Sequence, residues 1–329
     1  MSQRLQLHGQ DPAIRVGSGG VGSACRDSTN DDEGIVAGPS EPLRCGARGS
    51  VVIIGAGTQG RRLAYMWSSR GGLVYLIDLD ERQLEDGLQY VQQLRTEAQQ
   101  PRTWGDVRLA TPDSLESILQ DSWLVVECVP ENLTLKQKVL TQLDKLAPEM
   151  TIIASNSSSY GIGEIIEGLT LKSRQRLLSA HCYWPPETSA IEIMGHDDSD
   201  PALLSLLNEE CEKHGFSPFR VRQSSIGYIY NRIWAAIKRE TLLALSEGIC
   251  EPQEIDTIFK DVLKTPKGPC EQMDIVGLDV VLDIEKHYAE ARSGLPSEPR
   301  EYLQKMIREG NLGVKSGRGF YDYQAQNGH

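Results

Sequence analysis

The chain has 329 residues, 39% of them hydrophobic and 24% charged, which is room for two packed domains of ordinary globular composition. A formal net charge of −12 without any basic cluster argues against a nucleic-acid partner, and no apolar run approaches the ~18 residues needed to span a bilayer. Seven widely spaced cysteines with no Cys-x-x-Cys pair fit free thiols in a reducing, cytoplasmic setting, and six scattered histidines offer no metal site.

Residues 1–49 are rich in Gly, Ser, Asp and Arg and have little apolar periodicity, so they are expected to be a disordered leader. Asp11, Asp27, Asp31, Asp32 and Glu33 interrupt what an organelle-targeting presequence would keep free of acids. The apolar run from Val51 to Ile54 then feeds into Gly55-Ala56-Gly57-Thr58-Gln59-Gly60, with a helix expected from Thr58 to Trp67. Glycines placed where a strand turns into a helix suit a dinucleotide pyrophosphate. Gly55 permits the tight turn, Gly57 lets backbone N–H groups approach phosphate, and Gly60 lets helix and strand pack closely. Asp78 closes the next apolar run, Leu73 to Asp78, 23 residues after Gly55. A carboxylate there would bond the adenosine ribose and repel a 2′-phosphate, which favours NAD over NADP.

Further runs at Val107–Ala110, Leu124–Val129 and Thr151–Ser155 alternate with helical patterns at Glu81–Thr96, Asn132–Leu146 and Gly161–Glu167. Such alternation predicts a Rossmann-type, doubly wound parallel sheet with helices on both faces. Strand-like runs Leu177–Tyr183 and Ala190–Met194 follow, then a helix near Pro201–His214 and a strand Phe219–Arg222. Beyond Ile226 the pattern becomes helical: Tyr228–Glu247, Pro252–Leu263, Pro269–Glu290 and Glu298–Glu309. An α/β domain over residues 50–225 and an all-helical domain over 226–329 are therefore expected. The helix from Tyr228 is apolar nearly all round, as a helix buried in a core or against a second copy of the chain would be. A homodimer through the helical domain follows.

His181 is the best candidate acid–base group. If its strand pairs with Ala190–Met194 as a hairpin across the Pro185-Pro186 turn, residues whose numbers sum to 373 face each other, which sets Glu192 opposite His181. Facing Cβ atoms lie ~5 Å apart, within reach of a carboxylate–imidazole hydrogen bond. Such a pair suits alcohol oxidation, because neutral imidazole takes the hydroxyl proton while the carboxylate fixes its tautomer. Asn156-Ser157-Ser158-Ser159 follows a strand end, where ligands bind in open α/β sheets; hydroxyls there serve equally well as caps and turn closers. Asn231, near the start of the apolar helix, needs a partner, either backbone or substrate.

Over Val51–Tyr323 the chain resembles the 3-hydroxyacyl-CoA dehydrogenase family, which includes L-gulonate 3-dehydrogenase and lambda-crystallin. The resemblance is carried by Gly55–Gly60, Val126-Glu127-Cys128-Val129-Pro130-Glu131-Asn132-Leu133 with Lys136, Ala154–Ser159, the His181 region, Tyr230-Asn231-Arg232, Gly268-Pro269 with Asp274–Asp279, and Lys315–Tyr321. It implies an NAD-dependent dehydrogenase or ketoreductase acting at the 3-position of an acyl substrate. His181 would be the base and Glu192 its orienting partner, with Ser158 and Asn231 on the substrate. Gly55, Gly57, Thr58, Gln59, Gly60, Asp78, Glu131, Lys136, Ser158 and Lys315 would line the NAD site. Two departures stand out. The family's Phe-Phe-Asn-Pro after the histidine is Cys182-Tyr183-Trp184-Pro185 here, and the segment from Asp78 to Glu131 is shorter, with Arg82 as the single basic residue of Glu81–Leu94. Coenzyme A phosphates need cations, so a free hydroxy acid, as in the gulonate branch, is the alternative substrate. A nucleotide-binding protein without catalysis is a further alternative.

Overall fold

The computed structural model describes residues 49–98 and 102–324, so the expected leader lies outside the described residues apart from Gly49. Eight strands form one sheet: β1 (Ser50–Ile54), β2 (Val74–Ile77), β3 (Val107–Ala110), β4 (Ser122–Glu127), β5 (Ile152–Ser155), β6 (Leu177–Cys182), β7 (Ala190–Met194) and β8 (Ser217–Val221). Their spatial order is β3-β2-β1-β4-β5-β6-β7-β8. The first six run parallel, β7 is antiparallel to β6, and β8 is parallel to β7. The strands are short apolar runs because both faces of the sheet are covered. Val51, Ile53, Leu76, Leu124 and Val126 pack under α1 (Thr58–Trp67), α2 (Glu81–Glu97) and, towards the β7 edge, α6 (Pro201–Lys213). Their neighbours Val52, Ile77, Val125 and Ile153 pack on the opposite side against α3 (Leu115–Leu119), α4 (Leu133–Leu146) and α5 (Ile162–Ile165). The short α3 was not expected; it follows a 3-10 turn that begins at Pro112.

A helical half follows: α7 (Tyr230–Ser246), α8 (Pro252–Leu263), α9 (Pro269–Val276), α10 (Leu278–Ala291) and α11 (Glu298–Arg308). Leu242, Met273, Leu278, Val281 and Leu303 form its core. The single helix expected over Pro269–Glu290 is broken at Gly277, whose φ of +101° lies outside the helical region and admits only glycine comfortably. A side chain there would also press on Lys315 and Asp279. The buried carboxylate of Asp274 accepts from the backbone N–H groups of Phe320 and Tyr321 and from the Tyr323 hydroxyl, anchoring the chain's last described turn. Of the two environments expected for α7, the core covers only one face in the single chain. Ile229, Tyr230 and Ile233 are exposed, while Ala235, Leu242 and Leu245 point into the core. Among the described residues no helix is long and apolar enough to cross a membrane.

Candidate active site

The loop between β1 and α1 is shaped by its glycines. Gly55 has φ +106°, and a Cβ on it would lie 2.7 Å from the Cys128 carbonyl oxygen. One on Gly60 would fall 1.8 Å from the Gly55 carbonyl oxygen. Gly57 has open space where its Cβ would be, with nothing nearer than the Gln83 side-chain oxygen at 3.8 Å. It is also the N-cap of α1, and no side chain caps the free N–H groups there. Close packing at two glycines and a clear approach at the third fit a dinucleotide pyrophosphate, which would accept from the helix N-terminus. Thr58, exposed, and Gln59 begin that helix, and Gln59 donates its side-chain N–H to the Tyr183 carbonyl at 2.6 Å. Asp78, half-buried at the end of β2, accepts from the Ala56 N–H at 2.7 Å, so it borders the same loop.

Across the sheet edge stands a buried ion cluster. Lys136, 1% exposed, pairs with Glu127 at 2.9 Å and Glu131 at 3.1 Å. Burial alone would lower the Lys136 pKa, but the two carboxylates overcome it and hold the ammonium charged. Burial would likewise raise Glu131; Lys136 and the donors on Ser157 and Ser159 win and keep it below its ordinary value. Glu127 was not expected as a site residue. An acid at the end of β4, on the edge where the sheet opens, was the available signal.

The two readings of the Asn156–Ser159 segment divide between its members. Asn156 accepts from the Cys182 N–H, Ser157 donates to Glu131 at 2.7 Å, and the Ser159 N–H donates to the same carboxylate at 2.8 Å, all structural roles. Ser158 is exposed, with only a 3.4 Å contact to Glu131. It lines both a cavity of about 220 Å³ shared with Gln59, Glu131 and His181 and a cavity of about 600 Å³ that reaches Trp184, Asn231 and the helical half.

The hairpin register is as expected: His181 pairs with Glu192 in the β6–β7 ladder. The carboxylate, however, does not bond the imidazole. Its oxygens accept from the Tyr183 hydroxyl at 2.5 Å and from the N–H groups of Ile229 at 2.6 Å and Tyr230 at 3.0 Å. Free N–H groups at the start of α7, where no side chain of its own caps, outcompete the imidazole for the anion. His181 Nδ1 is buried without a partner. The imidazole lies flat on Tyr228, 5.1 Å between centroids and 8° between planes, with Tyr183 edge-on at 4.8 Å. Burial pushes the imidazole pKa down to about 4, against the opposing pull of Glu192 and Glu131, so the ring is neutral at pH 7. Tyr228 was missed in the sequence. Gly227 beside it and its own φ of +56° hold its ring in place, and its hydroxyl donates to the Ser157 carbonyl at 2.7 Å.

Asn231 is half-buried and lines the larger cavity. Lys315 is not brought to this group; its ammonium pairs with Asp279 at the start of α10, within the helical half. Cys128 and Cys182 are inert: burial pushes the Cys182 thiol up to about 12 and holds Cys128 well above its ordinary value.

Residues 50–224 match the family model described as 3-hydroxyacyl-CoA dehydrogenase, NAD binding domain, and residues 227–323 match its C-terminal domain. The chain is 30% identical to a probable 3-hydroxybutyryl-CoA dehydrogenase of Bacillus subtilis over 283 residues, covering 83% of this chain and 97% of that one. Its structure is similar to that of the (S)-3-hydroxybutyryl-CoA dehydrogenase of Ralstonia eutropha, with TM-score 0.72, 27% identity and coverage of 84% and 99%. A diketoreductase acting on dicarbonyl compounds is also similar, with TM-score 0.67, 28% identity and coverage of 84% and 99%.

Proposed function

Because the chain belongs to the 3-hydroxyacyl-CoA dehydrogenase family, we propose that it is an NAD-dependent oxidoreductase at the 3-position of a 3-hydroxyacyl or 3-keto substrate, with His181 as the proton-exchanging base. NAD, when bound, supplies the hydride acceptor. Gly55, Gly57 and Gly60 would cradle its pyrophosphate and Asp78 would take its ribose hydroxyls, while Glu131, Lys136 and Ser158 border the cavity beside His181. The observation that carries the reading is the buried, neutral imidazole on that cavity. A ring that holds no proton at pH 7 is ready to accept one from a carbinol. Ser158, which lines both cavities, and Asn231, which lines the larger one, would orient the substrate oxygen. Glu192 acts at one remove: its negative charge favours the imidazolium formed in the reaction, and its hydrogen bonds hold the start of α7.

Two features favour a substrate without the coenzyme A handle. Arg95 donates to Ser68 and to the Gly105 carbonyl, and both Arg95 and Arg102 lie over the Trp104 ring. These cations are engaged within the fold. A free 3-hydroxy acid or a short thioester is thus the second reading. We read the protein as a cytoplasmic homodimer; exposed Ile258, Val262, Leu263, Ile275 and Val280 in the helical half support the dimer, and unpaired thiols support the compartment. Light scattering measures the first. A panel of 3-hydroxyacyl-CoA esters, free 3-hydroxy acids and L-gulonate with NAD, followed by reduced-nicotinamide absorbance, tests the activity. No turnover with any member would overturn it.

A further inference from the structure

α7 places Asn231, Trp234 and Lys238 on one side, at i, i+3 and i+7, and all three line the larger cavity. Seven helical positions span about 10 Å along the axis, and a long helical side chain leans back towards the N-terminal end, here towards Asn231. Lysines on helices ordinarily put the ammonium in water. Lys238 is only 8% exposed. Its neighbour Arg239 has taken the nearest acid, bonding both oxygens of the Glu285 carboxylate. The other charged groups on the cavity are also engaged: Glu192 by Tyr183 and α7, and His287 by Glu164 at 3.0 Å. Among the described residues Lys238 has no hydrogen bond or ion pair.

Holding a largely buried ammonium with no carboxylate bonded to it is costly, and such groups are found where a ligand supplies the bond, here with only the shared field of Glu285 to offset the burial. Burial lowers the Lys238 pKa to about 8, with Glu285 opposing and Arg239 assisting, so the side chain stays mostly charged at pH 7. We propose that Lys238 binds a carboxylate of the substrate, so that the molecule presented to His181 carries a free acid group into the helical side of the cleft. This rests on the dehydrogenase reading above and narrows it. Two sources share this chemistry: a free 3-hydroxy acid, and an acyl thioester whose far end bears a second carboxylate.

The test is binding followed by fluorescence of the cavity tryptophans, which needs no turnover. One pair of probes is 3-hydroxybutyrate and its methyl ester; the other is the mono-N-acetylcysteamine thioester of 3-hydroxyadipate and that compound's methyl ester. The wild-type protein should prefer the acid over the ester in at least one pair by ~30-fold, the worth of a charge-assisted bond, and the pair that responds identifies the source. Lys238→Met should abolish the preference and Lys238→Arg should keep most of it. A wild-type preference below ~3-fold in both pairs, or one that survives Lys238→Met, overturns the proposal. Should Lys238→Met not fold, Lys238→Gln takes its place, and should both fail, the wild-type comparison decides. An inactive enzyme that still shows the preference would count against the dehydrogenase reading and not against this one.

Discussion

The Tyr183 hydroxyl donates to Glu192 at 2.5 Å, so the strand that carries the base also supplies a donor to the carboxylate facing it. That bond draws negative charge away from the imidazole. Tyr183→Phe should therefore let Glu192 act more strongly on His181 and move the acidic limb of the kcat/KM profile upward. Loss of a charge-assisted bond should cost about 1.5–3 kcal/mol of stability in urea unfolding. An unmoved limb would show that Glu192 is electrostatically silent at the base.

Removing the charge has the opposite sign. In Glu192→Gln the amide oxygen can still accept from α7, but the larger of the two charges pulling the His181 pKa up is gone and only Glu131 remains, so the acidic limb should move below its wild-type position. Turnover should fall less than in His181→Ala, where we expect a drop of ~100-fold or more with NAD affinity nearly intact. Single-turnover kinetics with calorimetric titration of NAD separates the two effects.

The buried ring also sets a pH dependence of folding. An unfolded histidine, with its ordinary value of 6.5, takes up a proton before the native His181 does at about 4. Its contribution is thus fully present above pH 6.5 and is lost as pH falls towards 4. The stability of His181→Gln should fall less steeply across that window, measured by denaturant titration at fixed pH steps.

Asp78→Ala should weaken NAD by about tenfold or more and narrow the gap to NADP, since one change removes both a ribose acceptor and the charge that repels a 2′-phosphate. Calorimetry with both cofactors checks this. Equal or tighter NADP binding by the wild type would mean that Asp78 has been misassigned.

With Arg95 and Arg102 committed inside the fold, an acyl-CoA and its truncated pantetheine thioester should be turned over alike. A kcat/KM ratio above ~100, equivalent to ~2.7 kcal/mol, would reveal a phosphate subsite. Arg82, exposed at the start of α2, is the first residue to substitute in that event.

The β1 loop, the strand succession and the His181–Glu192 register were all legible, because each is dictated by local sequence: glycines at a turn, apolar runs, and a tight hairpin whose pairing follows from its centre. What the carboxylate bonds was not. Glu192 is claimed by N–H groups 37 and 38 residues further on, a competition visible only once α7 is docked. The break at Gly277 was hidden because a lone glycine within an apolar helical pattern looks tolerable until its φ is known. Lys238 was overlooked for a related reason. The cavity it lines is completed by residues of α9 and α10, and α7 alone gives no sign of it.

The clamp that Glu192 makes on the start of α7 has a mechanical corollary. The start of α7 is tied to the sheet at the carboxylate that faces the base, so a motion that lifted α7 would strip two donors from that carboxylate and strengthen its field on the imidazole. Opening the cleft would raise the proton affinity of His181 and closing it would lower that affinity. Substrate entry and the readiness of the base would in this way be two readouts of a single displacement.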